Sequence, residues 1–373
     1  GTLAAWALGD TGALPFALVV VAEVVFSVAV LRPVRAILAG VEAPAADLAL
    51  LAGVFARFER ETFSAARLRH IFDGFKTAGA PPSRRIAKLQ RLIDLLNSRR
   101  NQMFAPLAGF LLWGAQVGFA IERWRHASGS HLGGWLDGLG ELEALCSIAG
   151  YAYEHPADPF PLLVDEGTCF EGDGIAHPLL PASRAVPNSV RLGGTTRMLL
   201  VSGSNMSGKS TLLRSVGANA VLALAGAPVR AERLRISPLA IGATLRVQDS
   251  LQAGQSRFYA EITRVRAIVA LTAGALPVLF LLDELLSGTN SHDREHGAEA
   301  IVRGLLERGA IGLVTTHDLA LSGIADRLAP RAENVHFADV LEAGTLAFDY
   351  RMRPGVVKTS NALALMRAVG LEV

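Results

Sequence analysis

Gly203-Ser204-Asn205-Met206-Ser207-Gly208-Lys209-Ser210-Thr211 fits the phosphate-cradling pattern G-x-x-x-x-G-K-[ST] at every fixed position. The apolar run Met198-Leu199-Leu200-Val201 precedes it, and Leu212-Leu213-Arg214-Ser215-Val216 continues it with helical character. Strand, glycine-rich turn and helix are the context this motif requires. Its glycines let the backbone bend so that successive N–H groups face phosphates at a helix N-terminus. Lys209 is expected to reach the β- and γ-phosphates of ATP, and Ser210 to hold Mg²⁺. A chance glycine-rich turn is the bland alternative, and the motifs further along the chain weigh against it.

The run Leu279-Phe280-Leu281-Leu282 ends in Asp283-Glu284. A buried strand that delivers carboxylates at its C-terminal edge sets them beside such a loop. Asp283 is the expected second Mg²⁺ holder opposite Ser210, and Glu284 the group that polarises an attacking water. Acids also favour helix starts, which is the structural alternative for this pair. Thr315-Thr316-His317-Asp318 closes the next apolar run, where His317 can hydrogen-bond the γ-phosphate or the water. Between loop and acidic strand lies Gly254-Gln255-Ser256-Arg257-Phe258-Tyr259-Ala260-Glu261. Ser256 ahead of a helix could meet a phosphate or serve as an ordinary N-cap.

Length and composition frame these motifs. At 373 residues, with 51% hydrophobic and 19% charged residues, the chain has material for two domains and ample core. Net charge is only +2, but 57–100 holds eleven Lys/Arg against four Asp/Glu, a local excess of +7. That stretch reads either as a solvated helix face or as a surface for DNA phosphates. Cys146 and Cys169 form no metal or redox spacing, so both read as inert, at least half-buried thiols in a reducing compartment.

From Thr11 to Leu31 the one ionisable residue is Glu23, and Arg32 and Arg35 follow. Membrane span and buried bundle helix both fit: the length suffices for a bilayer, while Glu23 and Pro15 oppose it. A span would anchor the protein with its catalytic part in the cytoplasm; without one the expectation is simply cytoplasmic. Apolar residues at three- and four-residue steps predict helices around Leu68–Phe75 and Ile86–Leu96, the second capped by Ser83. A further packed helix is expected within 104–121, a break at Ser128-Gly129-Ser130, and another helical segment over 135–153. The Pro-rich stretch His155–Pro161 is the expected boundary. The division is thus 1–35 apolar helix, 36–154 α-helical, and 155–373 α/β with a mostly parallel sheet flanked by helices.

Taken together the motifs resemble the MutS family of mismatch-repair ATPases. The loop with Asn205-Met206 inside is similar to that family's G-x-N-M-x-G-K-S-T, and Ser256, Phe258 and Glu261 to its S-T-F-x-x-E. Asp283-Glu284-Leu285-Leu286-Ser287-Gly288-Thr289-Asn290 resembles D-E-[LI]-G-x-G-T-S; Thr316-His317 and Asn334-Val335-His336 match its T-H and N-V-H elements. His177-Pro178 and Val186-Pro187-Asn188 resemble the elements ahead of the loop. The resemblance implies an ABC-type P-loop fold after a lever-like helical domain, working as a homodimer with composite ATP sites. Ser256 and Phe258 would then act in trans, Ser287, Gly288, Thr289 and Asn290 would line the dimer seam, and Tyr350 would stack on adenine. Leu286-Ser287 stands where the family has Gly-Arg, and Asn361-Ala362 where it has Tyr-Gly. The chain shows no mismatch-reading, connector or clamp domain. A membrane-tethered ABC-type motor without nucleic acid is the alternative, although no Leu-Ser-Gly-Gly-Gln signature precedes Asp283.

Overall fold

The computed structural model describes residues 14–15, 17–19, 21–22, 25, 45–76, 79–104, 107–108, 111–245, 257–286, 291–342 and 345–357. Contacts divide the chain into two compact units, 1–146 and 147–373. Most of the apolar stretch 11–31 lies outside the described residues. Among the described ones, no helix is long and apolar enough to cross a membrane.

The first unit is helical: α1 (Ala45–Phe58), α2 (Ala66–Phe75), α3 (Pro82–Asn97) and the greater part of α4 (Trp113–Glu154). Its core joins Phe55, Ile71, Phe75, Ile86, Trp135 and Leu139. Phe55 and Phe75 meet edge to face with centroids 5.3 Å apart, the favoured aromatic geometry. Leu96, Val117 and Ile121 close a second cluster between α3 and α4.

Two local expectations are corrected here. Ser83 does not cap α3: Pro81 is the N-cap, Pro82 occupies the first turn, and the Ser83 N–H and hydroxyl both donate to Glu59. Nor does the chain break at Ser128-Gly129-Ser130, where α4 runs straight through. Ser128 is buried, and Trp124, Trp135, Leu139 and Leu142 bury one stripe of the helix, which outweighs the poor helical propensity of the glycines.

The second unit is mixed α/β. Its principal sheet comprises β4 (Met198–Ser202), β6 (Ala240–Ala243), β7 (Val278–Leu282), β8 (Ile311–Thr316), β9 (Ala332–Glu342) and β10 (Thr345–Pro354), in the order β10-β9-β4-β8-β7-β6. Every neighbouring pair is parallel except β9–β10. A smaller sheet, β1-β5-β2-β3, uses Leu162–Leu163 (β1), Cys169–Ile175 (β2), Asn188–Gly193 (β3) and Arg233–Ile236 (β5). All residues of β4, β7 and β8 are buried, as strands covered on both faces require. Leu199, Val201, Leu279 and Leu281 pack toward α5 (Lys209–Leu224). The alternate residues Met198, Leu200, Phe280 and Leu282 pack with α6 (Arg257–Leu271), α7 (Ser291–Glu307) and α8 (Ser322–Arg327). The parallel-rich sheet flanked by helices is therefore present, with its three anticipated strands in place. Cys169 is buried, which raises its thiol pKa, whereas Cys146 is exposed, contrary to expectation, because it faces outward from α4.

Candidate functional site

Parallel register brings the strand ends together. Ser202 pairs with Thr316, and Leu282 with Val314, so the loops after β4, β7 and β8 leave one edge of the sheet. In the first loop Gly203 has φ 150° and Gly208 φ 106°. A Cβ on Gly203 would lie 3.0 Å from the Phe337 carbonyl oxygen, so the chain can bend there only without a side chain. Met206, at φ 70°, stands exposed at the tip. Gly208 hands the chain directly to α5.

Lys209 begins that helix and is buried, its Nζ donating to the carbonyls of Gly203 at 2.8 Å and Ser204 at 2.6 Å. Burial holds it below the ordinary lysine pKa, against the upward pull of Glu284, Asp283 and Asp339. The Ser204 hydroxyl donates to Asp339. Ser207 is buried, and its Oγ has no partner among the described residues. Ser210 Oγ donates to Asp283 Oδ1 at 2.9 Å, and Thr315 Oγ1 donates to the same oxygen at 2.7 Å. Thr315 Oγ1 also accepts the Glu284 N–H at 2.9 Å, while Thr244 Oγ1 accepts that of Asp283 at 3.0 Å. Glu284 sits at φ 52°, and its Oε1 lies 3.4 Å from His317 Nδ1.

A cavity of about 660 Å³ opens over the loop, lined by Asn205, Met206, Lys209, Ser210, Thr211, Glu284 and Tyr350, among others. Tyr350, at φ 55°, sits where the β9–β10 register shifts between Phe348 and Met352. Asn188 secures that irregularity, donating to the Tyr350 carbonyl at 2.9 Å and accepting the Met352 N–H at 2.7 Å. Tyr350 Cδ1 would be 3.1 Å from a Cβ on Gly208, so the ring borders the loop itself.

The donor set suits Mg²⁺, which takes one or two protein oxygens and completes its shell with phosphate and water. A hydroxyl and a carboxylate 2.9 Å apart supply those oxygens. No cluster of three or more His, Cys, Asp or Glu able to cage a metal occurs among the described residues.

Sequence reasoning assigned no role to Thr315, Thr244 or Arg294, although the Thr-Thr pair before His317 was a visible signal. Ser256 and the seam residues Ser287, Gly288, Thr289 and Asn290 lie outside the described residues. Phe258 is half-buried against the chain's own core beside Val265 and Ile268. Glu261 is buried and accepts the Leu286 N–H at 2.6 Å.

In the helical unit the basic stretch separates into paired and unpaired charges. Arg57 pairs with Glu61, Arg67 with Glu141 and Lys76 with Asp73, and Arg85 donates to the Ala80 and Ala127 carbonyls. Arg84, Lys88 and Arg123 are exposed and line a groove of about 490 Å³ with Trp124, with no carboxylate paired to them among the described residues. Arg123 lies beyond the sequence stretch first singled out.

Comparison with known proteins gives a consistent result. The family described as MutS domain V matches residues 199–372. DNA mismatch repair protein MutS of Natronomonas pharaonis is 33% identical over 238 residues, covering 62% of this chain and 27% of that protein. DNA mismatch repair protein MSH6 of Arabidopsis thaliana is 34% identical over 212 residues, 53% of this chain and 16% of that protein. Endonuclease MutS2 of Thermus thermophilus is 37% identical over 196 residues, 52% of this chain and 25% of that protein. The chain spans 16–27% of the length of these relatives. Residues 199–372 are a MutS domain V.

Proposed function

We propose that this chain binds and hydrolyses Mg–ATP in its carboxy-terminal unit, paired with a second copy, and uses closure of the pair to move lever-like helices on DNA. The observation that carries this reading is Asp283 Oδ1, which gathers the Ser210 and Thr315 hydroxyls onto one carboxylate oxygen beside Lys209. Phosphoryl transfer asks little covalent chemistry of a protein; positioning and charge neutralisation suffice. Lys209 and the backbone N–H groups of the glycine-rich loop bind the phosphates. Ser210 and Asp283 would hold Mg²⁺, which would supply charge neutralisation on the phosphate oxygens. Glu284 orients the attacking water and takes its proton, and His317 holds the Glu284 carboxylate or the water from the neighbouring strand end. Tyr350 stacks on adenine.

In this reading Ser256 approaches the γ-phosphate bound by the partner's loop, and residues 287–290 line the seam. Exposed Tyr259 and Ile262, one turn apart on α6, give that side of the unit an apolar edge suited to a second copy. Arg84, Lys88 and Arg123 meet DNA phosphates. The matched relatives are named for mismatch repair and for endonuclease activity, so similarity does not choose the DNA structure. Both activities proposed here belong in the cytoplasm.

The test joins turnover to DNA binding. Glu284→Gln should still bind ATP but hydrolyse it about 10²–10⁴-fold more slowly, and the pair should stay closed; wild-type turnover in this variant removes Glu284 from the chemistry. Filter binding of homoduplex, mismatched and branched DNA should weaken steeply with salt. Replacing Arg84, Lys88 and Arg123 by alanine should lower the logarithmic salt slope by roughly 2–3. An unchanged slope would place the DNA elsewhere.

A further inference from the structure

We infer that Glu261 and Arg294 are positioning residues for hydrolysis, clamping Leu286 by both of its backbone polar atoms and thereby fixing Glu284 opposite His317. The inference rests on the ATPase reading above and adds residues that the phosphate, metal and water roles leave unused.

Glu261 lies on α6 and is only 4% exposed. Burying a carboxylate is costly unless it is hydrogen-bonded. Its Oε1 accepts the Leu286 N–H at 2.6 Å, a short contact. The Leu286 carbonyl, in turn, accepts from Arg294 Nε at 3.1 Å, on α7. Arg294 Nη1 also reaches Asp318 Oδ2 at 3.3 Å, and the Asp318 N–H is held by Thr316 Oγ1 at 2.9 Å. Asp318 is the residue after His317. One continuous set of polar contacts therefore joins α6, the turn after β7, α7 and the turn after β8.

That turn needs holding. Glu284 and Leu286 are non-glycine residues at φ 52° and 57°, conformations that persist only where the surroundings over-determine them. The Leu286 side chain is buried against α7, where a Cβ on Gly297 would come within 2.8 Å of Leu286 Cδ1. With Leu286 fixed at N–H, carbonyl and side chain, and the Glu284 N–H fixed by Thr315, the backbone that carries the Glu284 carboxylate is anchored on both sides. Because Asp318 hangs on the same Arg294, His317 is registered against Glu284 by the same guanidinium. Neither Glu261 nor Arg294 borders the nucleotide cavity, so loosening them should slow the reaction without weakening nucleotide binding. A merely structural role for Glu261, satisfying one buried N–H, predicts loss of folding stability instead.

The experiment measures kcat for ATP, Kd for a fluorescent ATP analogue and melting temperature on the full chain. Glu261→Ala should lower kcat at least tenfold with Kd within twofold of wild type. Glu261→Gln, whose amide oxygen can accept the same N–H, should recover most of the rate. Arg294→Lys keeps the charge but loses the fork that spans Leu286 and Asp318, and should also lower kcat at least fivefold in a folded protein. The Glu261→Ala/Arg294→Lys pair should fall short of the product of the single effects, because both hold one residue. Wild-type kcat in Arg294→Lys overturns the inference, as does a kcat loss in Glu261→Ala matched by equal losses of affinity and melting temperature. If Glu261→Ala does not fold, Arg294→Lys alone decides. A wild-type chain that binds nucleotide without turning it over would remove the ATPase reading itself, a result distinct from active wild type with unaffected variants.

Discussion

Glycine is abundant in two regions of this molecule, the loop 203–208 and the helix α4, and it does opposite things in them. In the loop Gly203 and Gly208 stand at φ 150° and 106°, and the backbone turns through geometry that a side chain would obstruct. In α4 Gly129, Gly133, Gly134, Gly138 and Gly140 all lie within one uninterrupted helix. The difference lies in what surrounds them. The loop is flanked by a strand buried on both faces and by a helix whose first residue is the buried Lys209, so the path between them is fixed by local chemistry. Around α4 the deciding force is the stripe of Trp124, Trp135, Leu139 and Leu142, buried against neighbouring elements. Of these five, Gly138 is the one where a Cβ would crowd a neighbour, meeting Phe75 Cε1 at 2.8 Å.

Substitutions can break this contrast. The largest effect belongs to the loop: Gly208→Ala forces a strained φ and crowds Tyr350 at 3.1 Å, so nucleotide affinity should fall by about tenfold or more, a strain of order 1–3 kcal/mol. Titration with a fluorescent ATP analogue checks it, and unchanged affinity would mean that loop geometry tolerates a side chain. Next comes Gly138→Ala, expected to destabilise the helical unit by about 1–2 kcal/mol through the clash with Phe75, less a small gain in helix propensity. Chemical denaturation reads this directly. The smallest effect has the opposite sign. Nothing lies within 4 Å of a Cβ on Gly133, so Gly133→Ala should stabilise by about 0.5–1 kcal/mol. Destabilisation there would show that α4 needs its glycines for something besides close packing.

The same contrast explains what could be read in advance. The strands, the loop and the acidic pair were legible because each carries its own pattern: an apolar run of strand length, glycines at fixed spacing, carboxylates at a strand end. The parallel-rich sheet followed from their alternation with helices. The break at Ser128-Gly129-Ser130 was misread because helix continuity there is supplied by packing, which no local window contains. Ser83 was misread as a cap because its side-chain partner, Glu59, is 24 positions away in sequence. The roles of Thr315, Thr244 and Arg294 were likewise hidden, since a hydroxyl or guanidinium near a motif has no signature until its partners are in place.

The amino-acid sequence alone determined the glycine-rich loop and the strand–helix alternation, because glycine conformation, strand burial and charge at strand ends are properties of short segments. Tertiary structure decided which oxygen of Asp283 receives two hydroxyls, how Leu286 is gripped from α6 and α7, and where exposed cations gather on the helical unit. Those outcomes depend on the register of parallel strands and on helices meeting across long sequence separations. Hydrogen bonds and close packing are settled there within a few tenths of an ångström, a scale that the order of residues does not record.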